Sequence, residues 1–186
     1  TKMIKWGTHS NYSHVGMIIK DPIFKDMPPL KGIFVWESSY EKKPDPQDGK
    51  IKLGVQITPL SEILETYKDK GHVYLRRLNI NSDILVKCSH CDNKLTNVFT
   101  NELINQIHEI VYDKPYDIVP LDWIEAFFKV DSRPQKTDRF WCAALVGYIY
   151  TQAKILNKNT DWSILTPNDF SLSGENLKYT GPHKLN

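Results

Sequence analysis

The sequence predicts an α+β fold in which an antiparallel sheet packs against helices, and three observations predict it. Short apolar runs bounded by turn residues occupy 14–19, 33–38 and 54–57. Apolar residues at three- and four-residue spacing dominate the later chain. Strands gathered on the N-terminal side and helices on the C-terminal side favour segregated layers over a parallel, alternating sheet. With 186 residues and 40% hydrophobic content the chain sustains one core, so residues 1–186 are taken as a single domain.

Each element follows from local signals. The run 14–19 stops at Lys20, Asp21 and Pro22, and 33–38 follows a loop containing Pro28 and Pro29. Segment 41–50 is polar and rich in chain breakers, which predicts an exposed, mobile loop. After the strand at 54–57, Thr58 and Pro59 supply the cap and first-turn proline of a helix. Its buried face is Leu60, Ile63, Leu64 and Tyr67, and Gly71 stops it. A strand over 72–78 and a polar connection over 79–93 follow. Val98, Leu103, Ile104, Ile107, Ile110 and Val111 predict a helix over 97–112, ended by Lys114 and Pro115. In the turn behind that helix Asp117 is expected to cap backbone donors, with Tyr116 beside it. Another helix is expected over 121–128 and a polar loop over 131–138. Asp138 is placed to cap a helix over 141–156, where Ala143, Ala144 and Gly147 permit close packing. Thr166 and Pro167 open a last capped turn before a loop-rich tail.

The charge balance, 24 basic against 22 acidic residues, leaves no electrostatic footprint for nucleic acid. The longest apolar stretch, 140–150, is too short to cross a bilayer. Three cysteines do not make a secreted disulfide framework and favour a reducing compartment, so the cytoplasm is expected. A trimmed N-terminal signal or anchor is left open. Cys88 and Cys91 have a zinc-like gap with His90 between them, but four ligands are needed, and His72 or His108 would have to complete the set. No metal and no cofactor is expected. Lys42, Lys43 and Lys50 alternate with Glu41, Asp45 and Asp48 as a solvated loop rather than a lipid-binding cluster.

One trio carries chemistry. Cys142 opens an apolar helical run, where unpaired N–H groups and the positive helix end lower a thiol's pKa and can stabilise an oxyanion. Its alternative is a small hydrophobe in the core. His14, at a strand entrance, is placed to act as base, with His9 as rival and a surface role as alternative. Glu37 ends an apolar strand, where a carboxylate either orients an imidazole or points to solvent. Tyr12, Trp36, Tyr40 and Trp141 are placed to line an apolar substrate cleft, Trp36 and Trp141 equally to fill core and rim. Gln135 is a second oxyanion donor or a solvated loop residue.

The ordered set Ser13-His14-Val15-Gly16-Met17, Val35-Trp36-Glu37-Ser38, Pro115-Tyr116-Asp117, Trp141-Cys142-Ala143-Ala144-Leu145-Val146 and Thr166-Pro167-Asn168-Asp169-Phe170 resembles the circularly permuted papain-like amidases of the NlpC superfamily. The likeness is to the YiiX type and related poxviral proteins, over roughly residues 6 to 170. The resemblance implies a permuted papain-like fold, with Cys142 as nucleophile, His14 as general base and acid, and Glu37 as its orienter. The implied activity is hydrolysis of an amide or ester in a peptide or acyl, lipid-like substrate. Acyl transfer of the lecithin-retinol type and a catalytically inactive binding module are the alternatives. The chain departs from the family at Ala143-Ala144, where a serine and an acidic residue are usual. It departs again at Gly7-Thr8, where the family has glycine and aspartate, and in insertion-like segments at 21–32 and 41–50. These departures leave the substrate open.

Overall fold

The computed structural model describes residues 12–78, 98–118, 136–174, 177 and 183–185, and the backbone of 86–87 and 95–96. Its centre is a three-stranded antiparallel sheet, β1 (Met17–Lys20), β2 (Ile33–Ser39) and β3 (Gly54–Pro59), in the order β1-β2-β3. Met17 opposes Trp36 and Lys20 opposes Ile33, while Phe34 opposes Pro59 and Ser39 opposes Gly54. β2 is buried from its second residue to its last, so helices and loops cover both faces of this central strand. Among the described residues three α-helices complete the mixed α and β architecture: α1 (Leu60–Tyr67), α2 (Asn101–Val111) and α3 (Cys142–Gln152). Short pairs join β4 (Tyr74–Leu75) to β7 (His183–Lys184) and β5 (Val86–Lys87) to β6 (Leu95–Thr96). The helix expected at 121–128, together with His9, Cys88, His90, Cys91 and Gln135, lies outside the described residues. No helix of the described residues is long and apolar enough to cross a membrane.

The core joins one sheet face to α2 and α3 through Phe34, Trp36, Val55, Ile57, Ile107, Val111, Phe140, Leu145 and Ile149. Alternation along β2 sends Phe34, Trp36 and Ser38 to that face, and Val35, Glu37 and Ser39 to the other. At α3, Gly147 lets the helix press on Trp162 and Leu165, since a Cβ there would lie 2.6 Å from Leu165 Cδ1. The nearby Thr166 and Asp169 form the expected cap, Asp169 Oδ2 accepting from both the amide and the hydroxyl of Thr166 at 2.8 and 2.7 Å.

Several boundaries differ from expectation for local reasons. Thr58 stays in β3 opposite Val35, and Pro59 takes the cap position of α1 without a side-chain hydrogen bond, because pairing with β2 continues two residues further than the turn signal implied. Thr100, whose hydroxyl accepts from the Leu103 amide at 3.2 Å, caps α2 and sets its start at Asn101. Asp138 pairs with Arg139 at 3.2 Å and does not cap α3, whose cap residue Trp141 provides no side-chain acceptor.

The loop expected to be mobile at 41–50 is instead pinned. Asp45 is 1% exposed, and its carboxylate accepts from Lys52 Nζ at 3.0 Å and from the Gln47 amide at 2.9 Å. Gln47 Nε2 also donates to Asp45, which turns Gln47 Oε1 toward His108 Nε2 at 2.6 Å. Tyr112 closes the network by donating to Asp48 Oδ2 at 2.6 Å. Burial and then the Lys52 charge lower His108 to about 4, so the imidazole is neutral and donates through Nε2 while stacking on Phe24 at 3.9 Å. His108 is therefore a structural link between α2 and this loop.

Candidate active site

His14 lies three residues before β1, so the strand expected to begin at 14 begins only at Met17. Outside the ladder, Gly16 lies at close range against the middle of β2. Gly16 makes that approach possible, because a Cβ there would sit 2.5 Å from Val35 Cγ1 and 3.2 Å from Glu37 Cβ. His14 Nε2 then reaches Glu37 Oε2 at 2.6 Å, with the imidazole side chain 29% exposed and the carboxylate 1% exposed. Glu37 Oε1 is buried without a hydrogen-bond partner among the described residues, so the His14 contact is the compensation available to this carboxylate. On the same sheet face, Gln56 opposes Glu37 and donates to Ser39 Oγ at 2.6 Å.

Cys142 comes from the opposite direction. Phe140 is tied into the sheet region by Ser38 Oγ, which donates to its carbonyl at 2.6 Å, and by pairing with residues 115–117. This anchors the segment entering α3 and places Cys142 at the first helical residue, 3% exposed. The His14 imidazole acts directly on its thiol, and since Nε2 is engaged by Glu37, Nδ1 is the ring nitrogen left for the sulfur. Burial alone would push the thiol up. Hydrogen bonding and the charge of His14, with the N–H groups of Val15 and Ala143, outweigh it and hold Cys142 below its ordinary value. Burial likewise opposes a charged His14, but the contacts with Cys142 and Glu37 raise the imidazole well above 6.5. Both shifts favour a thiolate facing an imidazolium. The missing side-chain cap on α3 contributes, because the Ala143 N–H remains available to the sulfur.

Three further residues enclose the trio, and sequence reading assigned none of them a chemical role. The segment expected to form a capping turn at 116–117 runs extended: the Tyr116 amide donates to Leu53 O at 3.0 Å and the Asp117 amide to Phe140 O at 3.2 Å. Gly54 allows it, with φ of 154° and a backbone so close to Lys114 that a Cβ would lie 2.2 Å from its carbonyl oxygen. Tyr116 consequently brings its phenol against both the sulfur and the backbone N–H of Cys142, and burial followed by the Cys142 charge raises it far above 10. Tyr67, at the end of α1, feels His14, Glu41, Glu37 and Cys142 together, which puts its ring at the same site. Glu41 is raised first by burial and then by the Glu37 charge. The helical period marked Tyr67 as inward-facing; nothing in the local pattern distinguished Tyr116 from an ordinary turn residue.

The aromatic residues expected to line a cleft separate. Trp36 is 1% exposed and packs on Phe24 at 5.6 Å, on the sheet face away from Glu37, so it fills the core. Tyr40 is 53% exposed beyond the end of β2. Trp141 is half-buried beside Cys142, with its Nε1 lacking an acceptor among the described residues. Tyr12 is half-buried, two residues before His14, edge-on to Tyr74 at 6.3 Å. Among the described residues no group of histidine, cysteine and carboxylate side chains is arranged to hold a metal ion. No protein-family model matches the chain, and neither a curated protein nor a solved structure matches it.

Proposed function

We propose that the chain is a cysteine-dependent hydrolase of amide or ester bonds, built as a permuted papain-like enzyme of the NlpC superfamily. The observation that carries this reading is the chain of contacts from buried Glu37, through the 2.6 Å bond to His14 Nε2, to the Cys142 thiol at the first turn of α3. In this reading the thiolate attacks the carbonyl carbon, forming a C–S bond while the carbonyl electrons move to oxygen. The Cys142 N–H, with the Tyr116 phenol next to it, supplies two donors where that oxyanion develops. Collapse expels the amine or alcohol, which takes the proton from His14 Nδ1. Water then attacks the thioester, giving its proton back to His14 and releasing the acid and the thiol. Glu37 holds the imidazole in the tautomer this exchange requires.

The experiment is a trap of the acyl-enzyme. Wild type mixed with an activated ester should gain one acyl mass on Cys142 and release the alcohol in a burst. Cys142→Ala should do neither, and His14→Ala should lose the burst rate while remaining folded. Absence of acylation in wild type would refute the hydrolase reading and favour a binding module on this fold.

A further inference from the structure

Beside the site, Arg76 presents an unused recognition group. Its Nε and Nη2 are buried without a hydrogen-bond partner among the described residues. These two nitrogens form the edge of the guanidinium whose parallel N–H groups match the paired oxygens of a carboxylate or phosphate. The group is held in place by stacking: its central carbon lies 4.6 Å from the Tyr12 ring centroid and 5.9 Å from that of Tyr74. An arginine stacked on aromatic faces with its buried fork unpaired is preorganised for an anion, since its planar fork needs little further ordering.

Two independent connections set Arg76 on the rim of the Cys142 site. Tyr12 is two residues before His14, so their Cα atoms are at most about 7 Å apart, and the guanidinium stacks on the segment that carries the imidazole. On the other side, β4 and Arg76 follow α1, whose last residue Tyr67 faces His14 and Cys142. The field there has one sign. Arg76 and Arg77 on the 71–78 segment stand beside Lys184, which pairs with Tyr74, and neither described segment carries an acidic residue.

We infer that Arg76 is a specificity-determining residue that grips an anionic group of the substrate, a carboxylate or phosphate, away from the bond to be broken. This rests on the hydrolase reading and narrows it to acyl compounds that carry such an anion away from the reacting carbonyl.

The test uses chloroacetamides bearing a terminal carboxylate, a terminal phosphate or a neutral carboxamide on alkyl spacers of graded length, with Cys142 alkylation followed by mass. Wild type should react at least tenfold faster with an anionic reagent of the matching length than with its neutral counterpart. Arg76→Gln should abolish that preference while leaving the neutral rate unchanged, and Arg76→Lys should recover only part of it. A second arm titrates wild type and Arg76→Gln with butyrate and with butyl phosphate, read by tyrosine fluorescence. Saturable binding that weakens at least tenfold in Arg76→Gln supports the inference, and the tighter of the two names the anion. Equal rates for anionic and neutral reagents in wild type, or equal losses for every reagent in Arg76→Gln, would overturn it. Ordinary Cys142 reactivity with intact anion binding would overturn the hydrolase reading, and with it the assignment of that anion to a substrate.

Discussion

Replacing Glu37 by glutamine separates what this carboxylate does for the site from what it does for the fold. The substitution keeps volume and an acceptor oxygen for His14 Nε2, now at 2.6 Å, but removes a charge from a residue that is 0% exposed. A hydrogen bond to a charged partner contributes about 1.5–3 kcal/mol and a neutral one about 0.5–1.5. The imidazolium should therefore lose about 1–2 kcal/mol of support, or roughly one pKa unit, about a tenfold fall in thiolate–imidazolium population wherever that pair is the minor form. Folding should respond differently. The variant also removes the cost of burying a carboxylate whose Oε1 has no partner among the described residues, so stability should stay within about 1 kcal/mol of wild type. Iodoacetamide kinetics at pH 6 measure the first quantity and urea unfolding the second. Unchanged alkylation, or a loss of several kcal/mol of stability with parallel loss of reactivity, would refute the reasoning and make Glu37 a structural residue.

Three other outcomes follow from the geometry. Gly16→Ala should push 14–16 off β2, because its Cβ would meet Val35 Cγ1 at 2.5 Å; about 1–3 kcal/mol of stability should be lost, and Val35→Ala should restore part of it in the double variant. Tyr116→Phe should reduce turnover of an activated ester by about 10²-fold, the scale of one lost oxyanion donor, while leaving the unfolding midpoint near wild type; an equal loss in both would assign the phenol to packing. His108, ordinarily near 6.5, is held at about 4, so the unfolded chain takes up its proton first as pH falls. Stability from this group is full above pH 6.5 and declines toward pH 4 by up to about 3 kcal/mol, a slope that His108→Gln should flatten in urea melts across that range; identical slopes would show that the imidazole is not kept neutral.

How much of this was legible depended on whether the deciding interaction was local. The runs at 33–38 and 54–57 appear as β2 and β3 with small extensions, and Cys142 does open a helix, because apolar periodicity and strand composition act over neighbouring residues. His14, Glu37 and Cys142 were singled out by residue type and setting, and the fold brings them together across 23 positions in one case and more than a hundred in the other. The pinned loop was not readable. Its polar, breaker-rich composition signals exposure, which holds for Lys42, Lys43, Pro44, Gly49 and Lys50, whereas Asp45 and Gln47 are buried by the network with Lys52 and with His108 from α2. Tyr116 was missed for the same reason. Only the pairing of 115–117 with Leu53 and Phe140 turns a local turn signal into a wall of the site.

The central claim, that Cys142 and His14 share a proton in a preformed pair, is tested most directly by the pH dependence of Cys142 alkylation in wild type and His14→Ala. The lowered thiol and raised imidazole predict that wild type already reacts rapidly at pH values well below the ordinary thiol range near 8.5. His14→Ala should shift the onset up to that range or beyond, since burial then acts on the thiol unopposed by the imidazole. A wild-type profile rising only near or above 8.5, unchanged in His14→Ala, would contradict the account.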